Sequence, residues 1–329
     1  MKYLNFFIVI LGVLLLSIIN SSKVFADTND FSVVPILPDN QNIDVLNYFD
    51  LKINPDQKQT LKIVVTNTSS ELQKFKIAVN TATTNDNGIV DYSMDNFKKD
   101  KSLKISLKDC IKLENEEIEI PAKEEKTVSM EMTIPKQKVD GILLGGVVVE
   151  PIVKKSELGI TNRFTRTIAI RLSENDEDIE PNIVVEDVTI AQENSRNVVK
   201  MKVRNIVPKL LSPIVAEITI SKKNNSKFIL REQKKQLSIA PNSQFYLTTD
   251  WKEKFSSGDY VYTVIFKDEA KHKSVFSKEF HVKKNEAYKL NQTSIDKKRF
   301  HLQDYYVIIF SILFLCIASY FMYNYMAKK

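Results

Sequence analysis

Asn40, Gln41, Tyr48 and Phe49 fall within ten residues of one another and combine the two chemistries that hold a sugar. Side-chain amides supply donors and acceptors for hydroxyl and acetamido groups, and aromatic rings cover the apolar sugar face. Pro35 and Pro38 keep the stretch Phe31–Gln41 extended and block helix. The same residues also fit a plain structural reading, an edge strand pinned to a sandwich with its aromatics in the core. Other chemistry lacks its parts. His272, His281 and His301 lie apart and none belongs to a His-Glu-x-x-His pair, so a zinc site is not expected. No Gly-x-Ser-x-Gly elbow occurs. Cys110 has no histidine near it in sequence and is expected to be a free, at least partly buried thiol. Glu114, Glu116, Glu117 and Glu119 are enough for a glycosidase pair, but on an alternating strand most of them face water. The acidic run Glu174–Glu180 lacks the glycine and final glutamate of a calcium loop and reads as a linker. No catalytic residue, metal site or cofactor is assigned, and the chain is not expected to be an enzyme.

Charge excludes a further class. The 329 residues carry 47 basic and 41 acidic groups. Lys2, Lys23, Lys328 and Lys329 sit at the two ends, which leaves the middle with 43 basic against 41 acidic groups. A nearly balanced body offers no concentrated basic face for phosphates, so a nucleic-acid partner is not expected. With only 7 glycines, a nucleotide-cradling loop is equally out of place.

The ends set the compartment. Residues 1–26 read as a signal peptide: Lys2, an uncharged run from Tyr3 to Ser22, then a cut after Ala26, with an uncleaved anchor as the alternative. Residues 305–325 form a charge-free run bracketed by Tyr305, Tyr306, Tyr320, Tyr323 and Tyr325, the pattern of a transmembrane helix. Residues 326–329 then make a short cytoplasmic tail. Export of the first segment overrides the local bias of Lys297, Lys298 and Arg299, so residues 27–304 are expected outside a single-pass cell membrane protein. Cys110 is the sole cysteine of that body, which therefore does not rely on disulfides.

The body itself reads as strands. Leu61, Ile63 and Val65 alternate with polar neighbours, as do Phe75, Ile77 and Val79, then Val128, Met130 and Met132, then Ile168, Ile170 and Leu172. After the break at 176–182 the pattern resumes in Val199, Met201 and Val203, in Ala216, Ile218 and Ile220, and in Tyr260, Tyr262, Val264 and Phe266. A period of two puts one set on a core face and the other in solvent. The expected fold is all-β, with two immunoglobulin-like β-sandwich domains in tandem, residues 27–175 and 183–284, plus the C-terminal transmembrane helix. Residues 285–304 read as a pattern-free polar stalk. A weak repeat links Ile120-Pro121-Ala122 to Ile239-Ala240-Pro241, each ahead of a strand, a glycine corner and another strand. Tyr260, after that second corner, fits either a tyrosine corner or an ordinary core tyrosine.

The opening Phe31-Ser32-Val33, Pro35, Pro38, Asn40-Gln41, the strand Tyr48-Phe49-Asp50-Leu51, and Asp140-Gly141-Ile142 followed by Gly145-Gly146-Val147 resemble the WxL-interacting proteins of Gram-positive bacteria. Pro181-Asn182-Ile183, Gly258-Asp259-Tyr260 and the final apolar run extend the resemblance along the chain. It implies a first domain that binds peptidoglycan, a second that binds host protein, and a membrane anchor. Partners implied are peptidoglycan, surface proteins bearing Trp-x-Leu motifs, and a host extracellular protein. The single tryptophan here is followed by Lys252-Glu253, so this chain is not itself a Trp-x-Leu partner. The expected function is a non-catalytic surface adaptor in adhesion. The alternative is a chaperone-like sandwich that assembles secreted subunits along a strand edge.

Overall fold

A computed structural model describes residues 30–152, 164–270 and 272–295. The segments 1–26 and 305–325, expected to be a signal peptide and a membrane helix, lie outside the described residues, as does His301. Among the described residues no helix is long and apolar enough to cross a membrane.

The chain is all-β, in two units. The first pairs two sheets. One runs β1 (Phe31–Ile36), β3 (Lys58–Asn67), β9 (Glu125–Thr133), β7 (Ile111–Leu113). The other runs β2 (Phe49–Lys52), β11 (Arg166–Ser173), β10 (Ile142–Pro151), β4 (Gln73–Thr81), β8 (Glu117–Ile120). All pairings are antiparallel except β2 with β11. Leu61, Ile63, Val65, Phe75, Ile77, Val128, Met130, Ile170 and Leu172 fill the space between them, as their alternation requires. Each such side chain, fully buried, contributes roughly 1.5–3 kcal/mol. A four-residue helix, α1 (Leu107–Cys110), plugs this core with Leu107 and Cys110. A small hairpin, β5 (Thr83–Thr84) with β6 (Val90–Asp91), leaves the end of β4.

The second unit has a three-stranded sheet, β12 (Ile183–Glu193), β13 (Arg196–Asn205), β16 (Ser243–Asp250), and a four-stranded one, β15 (Asn225–Ile239), β14 (Leu211–Lys222), β17 (Gly258–Lys267), β18 (Lys273–Val282). Its core holds Val199, Met201, Val203, Ala216, Ile218, Ile220, Tyr262 and Val264. Tyr260 is 1% exposed, stacks on Phe280, and donates its hydroxyl to the Ser256 carbonyl at 2.7 Å. The tie back to the backbone four residues upstream is that of a tyrosine corner.

The two units repeat one device that the sequence repeat only hinted at. Asn67 ends β3 and Asn205 ends β13, and both are wholly buried. Asn67 Nδ2 donates to the carbonyls of Glu71 and Ile120; Asn205 Nδ2 donates to those of Lys209 and Ala240. Each Oδ1 accepts the amide two residues on, Ser69 or Val207. Ile120 and Ala240 are the residues ahead of Pro121 and Pro241, so the same amide pins the same turn in both units.

The expected stalk is corrected at its start. Lys284–Thr293 is a helix, α2, with Ala287 buried in the second core and Leu290 against it. Its N-cap, Lys283, makes no side-chain cap bond, so tertiary contacts hold it. Asn291 Nδ2 donates to the Phe255 carbonyl, Asn291 Oδ1 accepts from Phe255 N and from Asn197 Nδ2, and Gln192 Nε2 donates to the Leu290 carbonyl. Two apolar anchors three residues apart are too few to show as a helical period in sequence.

The units are bolted together. Ile142 N donates to the Pro208 carbonyl at 2.9 Å, Ser238 N to Gly88 O at 2.8 Å, and Ala240 N to Thr84 Oγ1 at 2.9 Å. Gly141 has φ +62°, and a Cβ there would sit 2.3 Å from the Pro208 carbonyl oxygen, so the approach needs glycine. Leu144, Ala82 and Ala240 form a small buried cluster across the seam, with Tyr92 and Leu210 against it. The acidic run at 174–178 is strapped rather than loose. Asp176 pairs with Lys52 of the first unit, and Asp178 with Lys209 of the second at 2.5 Å.

Candidate functional site

The four residues first singled out do not form a binding surface together. Asn40 Nδ2 donates to the Lys52 carbonyl at 2.8 Å, and its Oδ1 accepts from Gln59 Nε2. Gln41 Nε2 donates to the carbonyls of Val45 and Tyr48, and Gln41 Oε1 accepts from Asp50 N. Both amides are therefore spent on shaping the turn 38–50. Phe49 is 0% exposed, in the core, because β2 points it inward between the sheets. Only Tyr48 keeps a partly exposed ring. The turn they build carries Ile43 and Leu46 outward, at 86% and 75% exposure.

What Tyr48 leads to is the outer face of the five-stranded sheet. Strand alternation sets that face residue by residue. Phe49, Ile170, Val147 and Val79 point to the core, so Asp50, Arg171, Ala169, Gly146 and Asn80 point away from it. Register then makes rows. Ala169 lies opposite Gly146, and Gly146 opposite Asn80. This row is nearly without side chains at its centre, and the Tyr92 ring settles there. A Cβ on Gly146 would lie 3.2 Å from Tyr92 Cδ1 and 3.0 Å from the Ile168 carbonyl oxygen. Asn80 Nδ2 donates to the Tyr92 carbonyl at 2.9 Å and fixes that ring's backbone. Burial first, and the neighbouring Tyr48 second, hold the Tyr92 hydroxyl above the usual phenol range.

Two polar features flank the tyrosines. Arg171 donates to Asp50 at 2.6 Å, and Asp50 also accepts from Asn42 Nδ2 at 3.0 Å. Asp50 is 7% exposed, so this carboxylate is held by its partners rather than by water. Asn80 Oδ1 is buried and has no hydrogen-bond partner among the described residues. A buried acceptor left unmade costs free energy, and such an atom marks a place where an outside donor is welcome. Two tyrosines, an amide oxygen and an Asp–Arg pair can bind and orient a polar ring; they include no nucleophile with a base. Sequence reasoning reached Tyr48 but missed Tyr92, Asn80 and Arg171, which only strand register brings together.

The remaining candidates sit elsewhere. His272 pairs with Asp268 and His281 with Asp259, each at 2.8 Å on the surface. Bonding to Asp268 holds the His272 pKa above its ordinary value. Cys110 is 4% exposed, and burial, then the Asp109 charge, push its thiol up to about 11. Such a thiol is inert at neutral pH. Among the described residues no group of three or more metal-ligating side chains occurs.

Among the solved structures with some similarity to this chain are bacterial chaperones. One is from the CsuC–CsuE chaperone–tip adhesion subunit complex of Acinetobacter baumannii, 11% identical, covering 75% of this chain and 97% of that one, with a TM-score of 0.32. Another is the E. coli chaperone DraB, 14% identical, covering 70% and 92%, with a TM-score of 0.28. The class 5 fimbriae chaperone CfaA is 16% identical, covering 75% and 98%, with a TM-score of 0.30. No curated protein sequence matches. Two family models do. Residues 31–151 match the peptidoglycan binding domain of the WxL Interacting Protein, and residues 155–292 match its host binding domain. The division between them precedes β11, so the strand that completes the first sheet is counted with the host-binding segment. With both models matched in order along the body, the chain belongs to the WxL Interacting Protein family.

Proposed function

We propose that this protein is a membrane-tethered, non-catalytic adaptor of the Gram-positive cell surface. Its first unit holds peptidoglycan, and its second holds protein, including Trp-x-Leu surface proteins and a host extracellular protein. Both units are read as immunoglobulin-like sandwiches. Residues 1–26 direct export and are cut after Ala26; residues 305–325 anchor the chain, with 27–304 outside and the last four residues inside. The observation that carries the wall-binding half is the row Ala169–Gly146–Asn80, with Tyr92 over it, Tyr48 beside it and an unpaired amide oxygen in its floor. Glycan strands offer apolar ring faces for the tyrosines and hydroxyl or acetamido donors for Asn80 Oδ1.

The test is retention of the detergent-solubilised full chain on purified sacculi. Tyr92→Ala, and separately Gly146→Val, which evicts the Tyr92 ring, should each cut retention about tenfold, the effect of losing roughly 1.4 kcal/mol of contact. Val34→Thr, on the other sheet, should leave it unchanged. Unaltered retention by both site variants sinks the assignment.

The strand-edge reading is favoured by one feature. β18 is ten residues long, hydrogen-bonds to β17 alone among the described strands, and exposes Val275 at 61%, although β12 of the other sheet runs close beside it. Open edges of this kind take an added strand, although Lys273 and Lys278 along it are charges that blunt such pairing. Val275→Pro should abolish partner capture on this reading and leave sacculus retention intact.

A further inference from the structure

The chain leaves the second unit at a fixed place. Ile295 N donates to the Ser195 carbonyl at 2.8 Å, directly after α2, so the exit is pinned beside the turn between β12 and β13. Nine residues, 296–304, then separate it from the apolar run at 305. Fully extended, that tether spans about 35 Å, and any relaxation shortens it. The end of the second unit that carries α2 is thus held within about 35 Å of whatever surface the 305–325 segment enters.

That end has the chemistry of a bilayer-facing surface. Lys252, Lys254, Lys283, Lys284 and Lys289 are all exposed around α2, against Asp250, Glu253 and Glu286. Glu193 borders the patch but is already ion-paired to Lys200. Tyr288 and Ile295 project from the same end at 64% and 61% exposure. Clustered lysines draw a segment to anionic headgroups, and a tyrosine with an aliphatic neighbour settles at the water–hydrocarbon boundary. The helix is short and firmly bonded to the body, so it presents this face without ordering cost.

We infer that the α2 end of the second unit docks on an anionic phospholipid surface, holding the whole body in one orientation above the membrane. The inference rests on the membrane-anchor reading of residues 305–325. It is tested with the full chain, Cys316→Ser, reconstituted in vesicles with a spin label on Asn285→Cys. The vesicles contain phosphatidylglycerol with phosphatidylcholine, or phosphatidylcholine alone. Collision of the label with a water-soluble relaxant should fall about threefold or more in the anionic vesicles and recover in high salt, as screened surface charge requires. Lys284→Glu with Lys289→Glu should keep the label accessible in both lipids. Lys62→Glu with Lys126→Glu, on the first unit, should not. Equal accessibility in the two lipids, with the chain co-floating with vesicles, overturns the docking alone. Failure to co-float overturns the anchor, and the docked geometry with it.

Discussion

Arg204 of the second unit grips Asp100 of the first with two hydrogen bonds, Nε to Oδ2 at 2.6 Å and Nη2 to Oδ1 at 2.9 Å. The Asp100 side chain is 0% exposed and that of Arg204 is 17% exposed, so the pair is a buried bolt through the seam. Glu186 takes a third bond from the same guanidinium at 3.0 Å.

Removing one half of such a pair strands a buried charge. Arg204→Ala should destabilise the body by about 3–5 kcal/mol. It should also split urea unfolding into two transitions, one for each unit, where the native chain should show one. A single transition with an unchanged midpoint would mean the seam does not couple the units.

Asp100 also sets an acid limit. Burial alone would raise its pKa, but the bonds from Arg204 and from Ser102 outweigh burial and hold it below the usual carboxylate range. A folded pKa below the unfolded one gives stability that is complete above about pH 4 and lost as pH falls through the folded value. Asp100→Asn should flatten that acid limb in thermal melts between pH 5 and about 2, and lower stability at neutral pH.

Strand β11 makes a fragment prediction. It lies between β2 and β10, yet it falls after residue 151. A fragment of residues 30–151 lacks it, leaving two strand edges and the Ile168, Ile170 and Leu172 contacts open. That fragment should aggregate or show no cooperative melt, whereas residues 30–179 should melt cooperatively. Circular dichroism on the two fragments decides the point.

The paired asparagines should behave alike. Asn67→Ala removes the amide that donates to the carbonyls of Glu71 and Ile120, and Asn205→Ala the one that donates to those of Lys209 and Ala240, with Ser69 Oγ still donating to Glu71 and Ser243 Oγ to Ala240. Each substitution should cost about 1–3 kcal/mol, the effect of removing a buried amide from its hydrogen bonds. Denaturant midpoints measure it, and a cost under about 0.5 kcal/mol in either unit would refute the shared role.

Most of the architecture was legible because the strands obey one rule. Leu61-x-Ile63-x-Val65 and Tyr260-x-Tyr262-x-Val264 needed only a period of two to place them inward, and both are buried. Helix α2 was not legible, since Ala287 and Leu290 are its only core contacts and Asn291 does the rest through hydrogen bonds. The site was half legible for a related reason. Asn40 and Gln41 have the right chemistry, but amides in a tight turn bond their own backbone first. Asn80, Gly146 and Arg171 are 66 and 25 positions apart in sequence and meet only through the registers of β4, β10 and β11. A non-local pairing of that kind leaves no mark in composition or spacing.

The seam has a mechanical meaning. On the proposed reading, with the wall held at the outer face of one sheet and the membrane anchor following Ile295, the body would carry tension between those two points whenever cell wall and membrane are pulled apart. The load path crosses from β10 and β11 to the second unit through Ile142–Pro208, Ser238–Gly88, Ala240–Thr84 and the Arg204–Asp100 pair. The chain linker, strapped to the two units by Asp176 and Asp178, is the covalent connection that remains once those bonds yield.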